Sequence, residues 1–319
     1  MTISVAMCTY NGARYIDEQL DGIATQVRLP DELVVCDDGS GDDTISRVSQ
    51  FAAKAKFPVR IEINHEKLGP ARNFGKAIGL CQGTVIALSD QDDIWKPTKL
   101  ERLSKALTEN PSALYTFSDA EIVDEQGKPL GQKLWATVGL RKNLLHFRGT
   151  GQLELLLRYN MISGASMMLR SSFREVFLPI PAGWMHDHWI VLLASIYGEG
   201  VPVDETLWGY RRHAAQVCGW GKQKWWEVLR TSLKTENEEI WRKVDTFQKL
   251  REQVCAVGCI APPTADRLRL VEEKEFHLRK RADNRSRKGF PRFAGVITEA
   301  LSGRYHRYSN SWQSIVRDL

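Results

Sequence analysis

The chain has 319 residues, 43% of them hydrophobic and 26% charged, with only 12 prolines and a formal net charge of +5. This is the composition of an ordinary soluble protein, long enough for a main domain plus an appendage. No run of about 18 apolar residues occurs, so a spanning helix is not expected. The modest charge does not choose among nucleic acid, acidic lipid and phosphorylated substrates.

Met1-Thr2-Ile3-Ser4-Val5 lacks the basic and long apolar regions of a secretory signal. Ile3 to Cys8 predicts a first strand, stopped by Thr9-Tyr10-Asn11-Gly12, and a helix follows with Tyr15, Ile16, Leu20 and Ile23 on one face. Leu33 to Cys36 is a second buried strand ending in Asp37-Asp38-Gly39-Ser40. A helix from about Asp43 toward Ala55, a strand over Val59 to Ile63, a helix from Leu68 to Leu80 and a strand over Thr84 to Leu88 come next. Strands alternating with helices imply a parallel sheet with crossovers, whose carboxyl edge is the usual place for a ligand.

The fourth strand runs into Ser89-Asp90-Gln91-Asp92-Asp93. Side chains alternate along an extended chain, so Asp90 and Asp92 point to one side and Asp93 to the other. Two carboxylates on one side suit a hard divalent cation, Mg²⁺ or Mn²⁺, completed by phosphate oxygens and water. A solvated turn with an aspartate capping the helix near Pro97 is the competing reading. At the other strand ends on that edge, Tyr10 could stack on a base and Asp38 could accept the imide N–H of uracil or thymine. A turn and helix cap is the alternative for Asp37 to Ser40. No G-x-G-x-x-G follows a strand, and Gly219-Trp220-Gly221-Lys222 is followed by Gln223, so neither a dinucleotide fingerprint nor a Walker-A loop is present.

A helix over about Thr98 to Glu109 and a strand over Leu114 to Ser118 follow; residues 131 to 150 show no clear period and are expected to form a loop. Asn160 to Leu169 reads as a strand whose Met167 and Met168 fill the core. In Trp184-Met185-His186-Asp187-His188-Trp189, Asp187 stands near the start of an apolar helix, where the dipole favours a carboxylate. It suits a base that takes a proton from a hydroxyl, with capping as the competing role. Leu207 to His213 reads as a strand running into positive charge, from which Arg211, Arg212 or His213 could contact a diphosphate. The six cysteines, Cys8, Cys36, Cys81, Cys218, Cys255 and Cys259, include no C-x-x-C pair, which points to buried thiols in a reducing cytoplasm.

Over residues 2 to 215 the chain resembles a family-2 inverting glycosyltransferase of the GT-A fold. The residues that carry the likeness are Cys8-Thr9-Tyr10-Asn11-Gly12, Asp37-Asp38-Gly39-Ser40, Gly69-Pro70-Ala71-Arg72-Asn73, Ser89 to Asp93, His186-Asp187 and Tyr210-Arg211-Arg212-His213. The resemblance implies an α/β Rossmann-like domain with a mixed central sheet over 1–219, and a helical, basic region over 220–319. It implies that Tyr10 and Asp38 contact the base, that Arg72 lies near the base or pyrophosphate, that Asp90 borders the ribose, and that Asp92 ligates the metal. Asp187 is then the general base on the acceptor hydroxyl. Thr9, Asn11, Gln91, His186, Trp189, Arg211 and His213 are counted with the substrate-binding set. Ser-Asp-Gln-Asp-Asp-Ile-Trp with His-Asp-x-Trp is similar to bacterial rhamnosyltransferases, which favours dTDP-rhamnose as donor, with a UDP-hexose next. A glycan or lipid-linked oligosaccharide of surface polysaccharide synthesis is the expected acceptor. A sugar-phosphate nucleotidyltransferase and a non-catalytic binding module with a degenerate pocket are the alternatives.

Beyond residue 220 the pattern turns helical and basic, through Trp225, Trp226, Val228, Leu229, Ile240, Val244, Phe247 and Leu250. Arg279-Lys280-Arg281, Arg285, Arg287-Lys288 and Arg292 interleave with Phe290, Phe293, Val296, Ile297 and Leu301. Such a segment can lie in an anionic membrane interface, here the inner face of the plasma membrane. A helical subdomain with a solvated basic face is the other reading. Nucleic acid is not expected, because no recognised binding motif accompanies the charge.

Overall fold

The computed structural model describes residues 1–214, 216, 237–258 and 262–319. Ala215, Cys218, Gly219 to Lys222, Trp225, Trp226, Val228, Leu229 and Cys259 lie outside the described residues. Ile3–Thr9 (β1), Glu32–Asp37 (β2), Val59–Ile63 (β3) and Val85–Ser89 (β4) pair in parallel in the order β3-β2-β1-β4. All seven residues of β1 are buried, as befits a strand covered on both faces. Helices Ile16–Ala24, Thr44–Ala52 and Pro70–Leu80 make the crossovers. Pro70 opens the last of these at a position where the missing N–H is not needed.

The other half of the sheet is mixed. Ile94–Trp95 (β5), Ala113–Val123 (β6), Pro129–Lys133 (β7), Met167–Arg170 (β8) and Glu199–Arg211 (β9) complete nine strands in one sheet. β8 runs antiparallel between β4 and β6, β9 lies parallel to β6, β5 pairs antiparallel to β9, and β7 to β6. Met167 and Met168 are fully buried in the core.

Two expectations are corrected here. Residues 131–150 are ordered as the end of β7, the helix Leu134–Thr137, a 3₁₀ helix over Arg141–His146 and the start of Gly149–Arg158. Asp119 organises the first turn, since its carboxylate accepts the N–H of Trp135 at 2.9 Å and of Ala120 at 2.8 Å, while the Trp135 ring is buried. Elements this short leave no readable period. The strand expected from Asn160 begins only at Met167, because Gly164–Ser166 is a 3₁₀ turn closed by Ser166, whose N–H and hydroxyl both donate to the Ser163 carbonyl.

The chain divides into two compact units, one of Met1–Leu145, Met161–Ala194 and Gly198–Trp220, the other of His146–Asn160, Ser195–Tyr197 and Gly221–Leu319. The second contains the helices Asn237–Gly258, Ala265–Ser286, Phe290–Leu301, Arg304–Tyr308 and Trp312–Asp318. Among the described residues no helix is long and apolar enough to cross a membrane. Cys8, Cys36 and Cys81 are buried free thiols, and Cys255 is exposed.

Candidate active site

The carboxyl ends of β1, β2 and β4 are bound together by their own side chains. Asp37 is fully buried and accepts the Thr9 hydroxyl at 2.6 Å, the N–H groups of Gly39 and Ser40 at 3.0 and 2.7 Å, and the Ser40 hydroxyl at 2.6 Å. This is the turn reading of that stretch, and it makes Thr9 a brace between strands rather than a free contact. Asn11 adopts a left-handed φ of 48°, receives no strain relief from glycine, and bridges by its N–H to Ser40 Oγ and its Oδ1 to the Gly41 N–H. Gln91 holds both backbone groups of Tyr10, accepting its N–H at 2.8 Å and donating to its carbonyl at 3.0 Å. The Tyr10 ring stays exposed, with the Lys67 ammonium 3.7 Å from its centroid.

Asp38 is buried beside the loop before the third crossover helix. Its carboxylate accepts from Asn64 Nδ2 at 3.0 Å and from the N–H groups of Leu68 and Gly69 at 2.7 and 2.8 Å. A carboxylate has about four acceptor sites, so one direction remains for a ligand. Asn64 also donates to Asn73, which donates to the Cys36 carbonyl. Arg72 is exposed on the first turn of Pro70–Leu80 and has no hydrogen bond or ion pair among the described residues.

The acidic cluster is the electrostatic centre. Burial, then Asp92, then Asp187 push the Asp90 carboxyl up to about 7. Asp92 and Asp187, 95 positions apart in the sequence, thus both raise the pKa of the same carboxyl. His213 Nε2 lies 2.8 Å from Asp92 Oδ2, and the His213 ring packs 4.8 Å from that of Tyr15. Asp93 is buried, in a turn beyond the end of β4 where strand alternation no longer applies, and burial with the neighbouring carboxylates raises its pKa well above the usual range. Lys99 was not anticipated. It is fully buried, donates to the Ala165 carbonyl, sits 3.8 Å from the Trp95 ring centroid, and is pushed down to about 7 by burial against the pull of Asp93 and Asp90. Its signal was a lysine six residues beyond the acid cluster, opening a helix whose other inward positions are apolar.

Asp187 occupies the first turn of the helix His186–Tyr197 and accepts the His188 N–H at 2.6 Å. His186 is buried and stacked on Phe74, with centroids 3.9 Å apart, and neither ring nitrogen has a partner. Burial holds its pKa below the ordinary histidine value. A Cβ on Gly164 would stand 2.3 Å from His186 Nε2, so only glycine admits this ring.

Two expected contacts are placed differently. The Arg211 side chain is buried; Nε donates to the Asp92 carbonyl at 2.9 Å, Nη1 to the Glu125 carbonyl at 2.8 Å and Nη2 to the Glu18 carboxylate. A guanidinium committed in three directions positions the acid loop and is not presented to a diphosphate. Trp189 is fully buried and donates its indole N–H to the Phe177 carbonyl at 2.8 Å, which makes it part of the wall behind Asp187.

The model of glycosyl transferase family 2 matches residues 4–177, more than half of the chain. The chain belongs to glycosyl transferase family 2. An uncharacterized protein of Mycobacterium tuberculosis is 28% identical over 264 residues, 80% of this chain and 72% of that protein. The Escherichia coli enzyme UDP-Glc:alpha-D-GlcNAc-diphosphoundecaprenol beta-1,3-glucosyltransferase WfgD is 32% identical over 114 residues, 35% of this chain and 44% of that protein. Among solved structures, TarS of S. aureus in complex with UDP-GlcNAc aligns with a TM-score of 0.57 at 16% identity, over 96% of this chain and 92% of that one. The mannosyltransferase PcManGT of Pyrobaculum calidifontis, in complex with GDP-Man and Mn2+, aligns with a TM-score of 0.53 at 16% identity, over 99% and 85%. The family-2 chain therefore has the GT-A fold, with its mixed sheet, followed by C-terminal helices.

Proposed function

We propose that this family-2 enzyme is an inverting, metal-dependent glycosyltransferase that moves a sugar from a nucleoside diphosphate donor to a hydroxyl of a glycan or lipid-linked glycan. The observation that carries the reading is the acidic loop at the carboxyl end of β4, where His213 Nε2 stands 2.8 Å from Asp92 and Asp187 occupies the first turn of an apolar helix. dTDP-rhamnose is the favoured donor and a UDP-hexose the next, with surface polysaccharide synthesis as the setting. The diphosphoundecaprenol acceptor in the name of the E. coli relative supports a lipid-linked acceptor at the inner face of the plasma membrane. Residues 1–219 would form the catalytic domain and 220–319 the region that docks it.

The donor set fits a divalent cation. A carboxylate oxygen and an imidazole nitrogen converge within 2.8 Å at Asp92 and His213, next to a second carboxylate that needs neutralising. Among the described residues no cluster of three or more such ligands occurs, so diphosphate oxygens and water would complete the shell. Asp92 and His213 would hold Mg²⁺ or Mn²⁺, which would supply positive charge against the charge that develops on the leaving diphosphate. The Mn2+ bound to the Pyrobaculum enzyme supports this choice.

The chain's own residues do the rest. Asp38 has one acceptor direction left for the base, and Tyr10 offers its exposed ring beside it. Asp90 would border the ribose, and the exposed Arg72 would meet the base or pyrophosphate. His186, next to Asp187 on the first turn of the same helix, carries ring nitrogens without a partner. The acceptor hydroxyl attacks the anomeric carbon as its proton passes to Asp187; the new C–O bond forms on the face opposite the breaking bond to phosphate, with inversion and no covalent intermediate.

The test is release of nucleoside diphosphate from a panel of dTDP-, UDP- and GDP-sugars with Mn²⁺ or Mg²⁺ and a glycan acceptor. Asp187→Asn is expected to lower kcat by roughly 10²- to 10⁴-fold with donor binding retained. Asp92→Ala is expected to lose metal-dependent donor binding as well. Full turnover in either folded variant would remove the mechanism.

A further inference from the structure

Two helices near the end of the C-terminal unit are built inside out. Helix Phe290–Leu301 lies on helix Ala265–Ser286 by the side that carries Gly295, Val296 and Glu299. Gly295 permits the approach, since a Cβ there would stand 2.2 Å from Asn284 Oδ1. Glu299, 3% exposed, meets His277 Nδ1 at 2.7 Å and both ends of the Arg304 fork at 2.7 Å. The opposite side, by the 3.6-residue period, is Phe290, Phe293, Ile297 and Leu301. Phe290 is 79%, Phe293 53% and Leu301 84% exposed.

Helix Trp312–Asp318 repeats the arrangement. Its inner side is Ser314 and Asp318; Asp318 is 0% exposed and takes Arg281 Nε at 2.5 Å and the Tyr305 hydroxyl at 2.6 Å. Its outer side is Trp312, Ile315 and Val316, with Leu319 next in register and Trp312 58% exposed. His277, Arg281 and Asn284 recur at spacings of four and three along Ala265–Ser286, so both short helices are laid on one face of it and turn their apolar stripes the same way.

Charge follows the same division. Residues 279–319 hold ten Lys and Arg against three Asp and Glu, and two of those acids, Glu299 and Asp318, are the buried ones. The two buried acids are met by Arg281, Arg285 and Arg304, so the remaining excess of Lys and Arg lies on the surface, with Arg287 and Lys288 exposed just before Phe290. A soluble helix places its acids outside and its phenylalanines inside; here a polar network supplies the interior and the apolar residues are left for another medium.

We propose that the outer face of Phe290–Leu301 and Trp312–Asp318 inserts into the headgroup and acyl boundary of an anionic lipid bilayer. Phe290, Phe293, Leu301 and Trp312 enter the boundary, and Arg287 and Lys288 meet the anionic headgroups. The proposal names the surface that would serve the docking assigned above to 220–319. It rests on that reading for its purpose only, because lipid binding and donor binding are measured separately.

The experiment is co-sedimentation of the full chain with vesicles of phosphatidylcholine alone or mixed with phosphatidylglycerol, at low and high salt. The expected result is partition onto the mixed vesicles, weakened by salt and by about tenfold or more in Arg287→Glu/Lys288→Glu. A comparable loss is expected in Phe290→Ser/Phe293→Ser/Leu301→Ser. Both variants should keep the parent circular dichroism and the parent donor-dependent thermal shift, since every substituted side chain is exposed. Three outcomes would overturn the proposal: no partition onto either vesicle, partition unchanged in both variants, or a dimer on size exclusion that the phenylalanine variant disperses without any lipid binding.

Discussion

Arg211 carries the clearest lesson at the scale of one residue. In sequence it is the first of two arginines before a histidine, which reads as an anion contact. In the fold its guanidinium spans Glu18, Asp92 and Glu125, and its backbone N–H serves Asp93. Arg211→Met should therefore strand two carbonyls, while the half-exposed Glu18 carboxylate turns to water. A loss of about 3 kcal/mol is expected in urea unfolding. A loss under about 1 kcal/mol would return Arg211 to the ligand-binding role. His213, two residues on, is the partner that sequence reasoning placed near the diphosphate and that the fold puts on Asp92. No local pattern distinguishes the two roles, because Arg211 ends the strand that His213 follows and only tertiary pairing decides which way each turns.

At the scale of elements, the polar interior of the C-terminal unit hangs on helix Ala265–Ser286. His277 is fully buried between Glu299 and Ser309, and burial, against the pull of Glu299, drives its pKa down to about 4. The ring's pKa is thus lower in the fold than its ordinary value near 6.5, so the unfolded chain binds the extra proton. Stability from this group is fully present above about pH 6.5 and is lost as pH falls toward 4. The His277 share of the thermal midpoint should accordingly drop between pH 7 and pH 5 by several degrees, at roughly 2–4 °C per kcal/mol for a domain of this size, against an opposite contribution from Asp90, whose carboxyl is raised to about 7 in the fold. His277→Gln should flatten that slope. An identical slope in the variant would move the acid sensitivity elsewhere. Lys274 adds a trend of the same sign at higher pH. It is buried on the Tyr308 carbonyl and pushed down to about 7, so stability rises as pH climbs from there toward its ordinary value.

For the whole molecule, donor and cation should stabilise as a pair. At a donor concentration about 100 times its Kd the linkage is about 2.7 kcal/mol, or roughly 5–10 °C in thermal midpoint. The shift should require Mn²⁺ or Mg²⁺ and vanish on chelation or in Asp92→Ala. A shift of equal size without a cation would remove the metal from donor binding. The sequence alone determined the parallel half of the sheet and the place of the acidic loop at its carboxyl edge. Buried runs such as Val85–Ser89 and breakers such as Asp37 to Ser40 act through neighbours along the chain. Only the tertiary structure decided which groups meet. His213 reaches Asp92 across 121 positions, Asp187 acts on Asp90, Trp189 becomes wall, and Glu299 and Asp318 go inward while Phe290 and Trp312 stay out. Those outcomes depend on packing between distant segments, for which the local period of apolar residues carries no information.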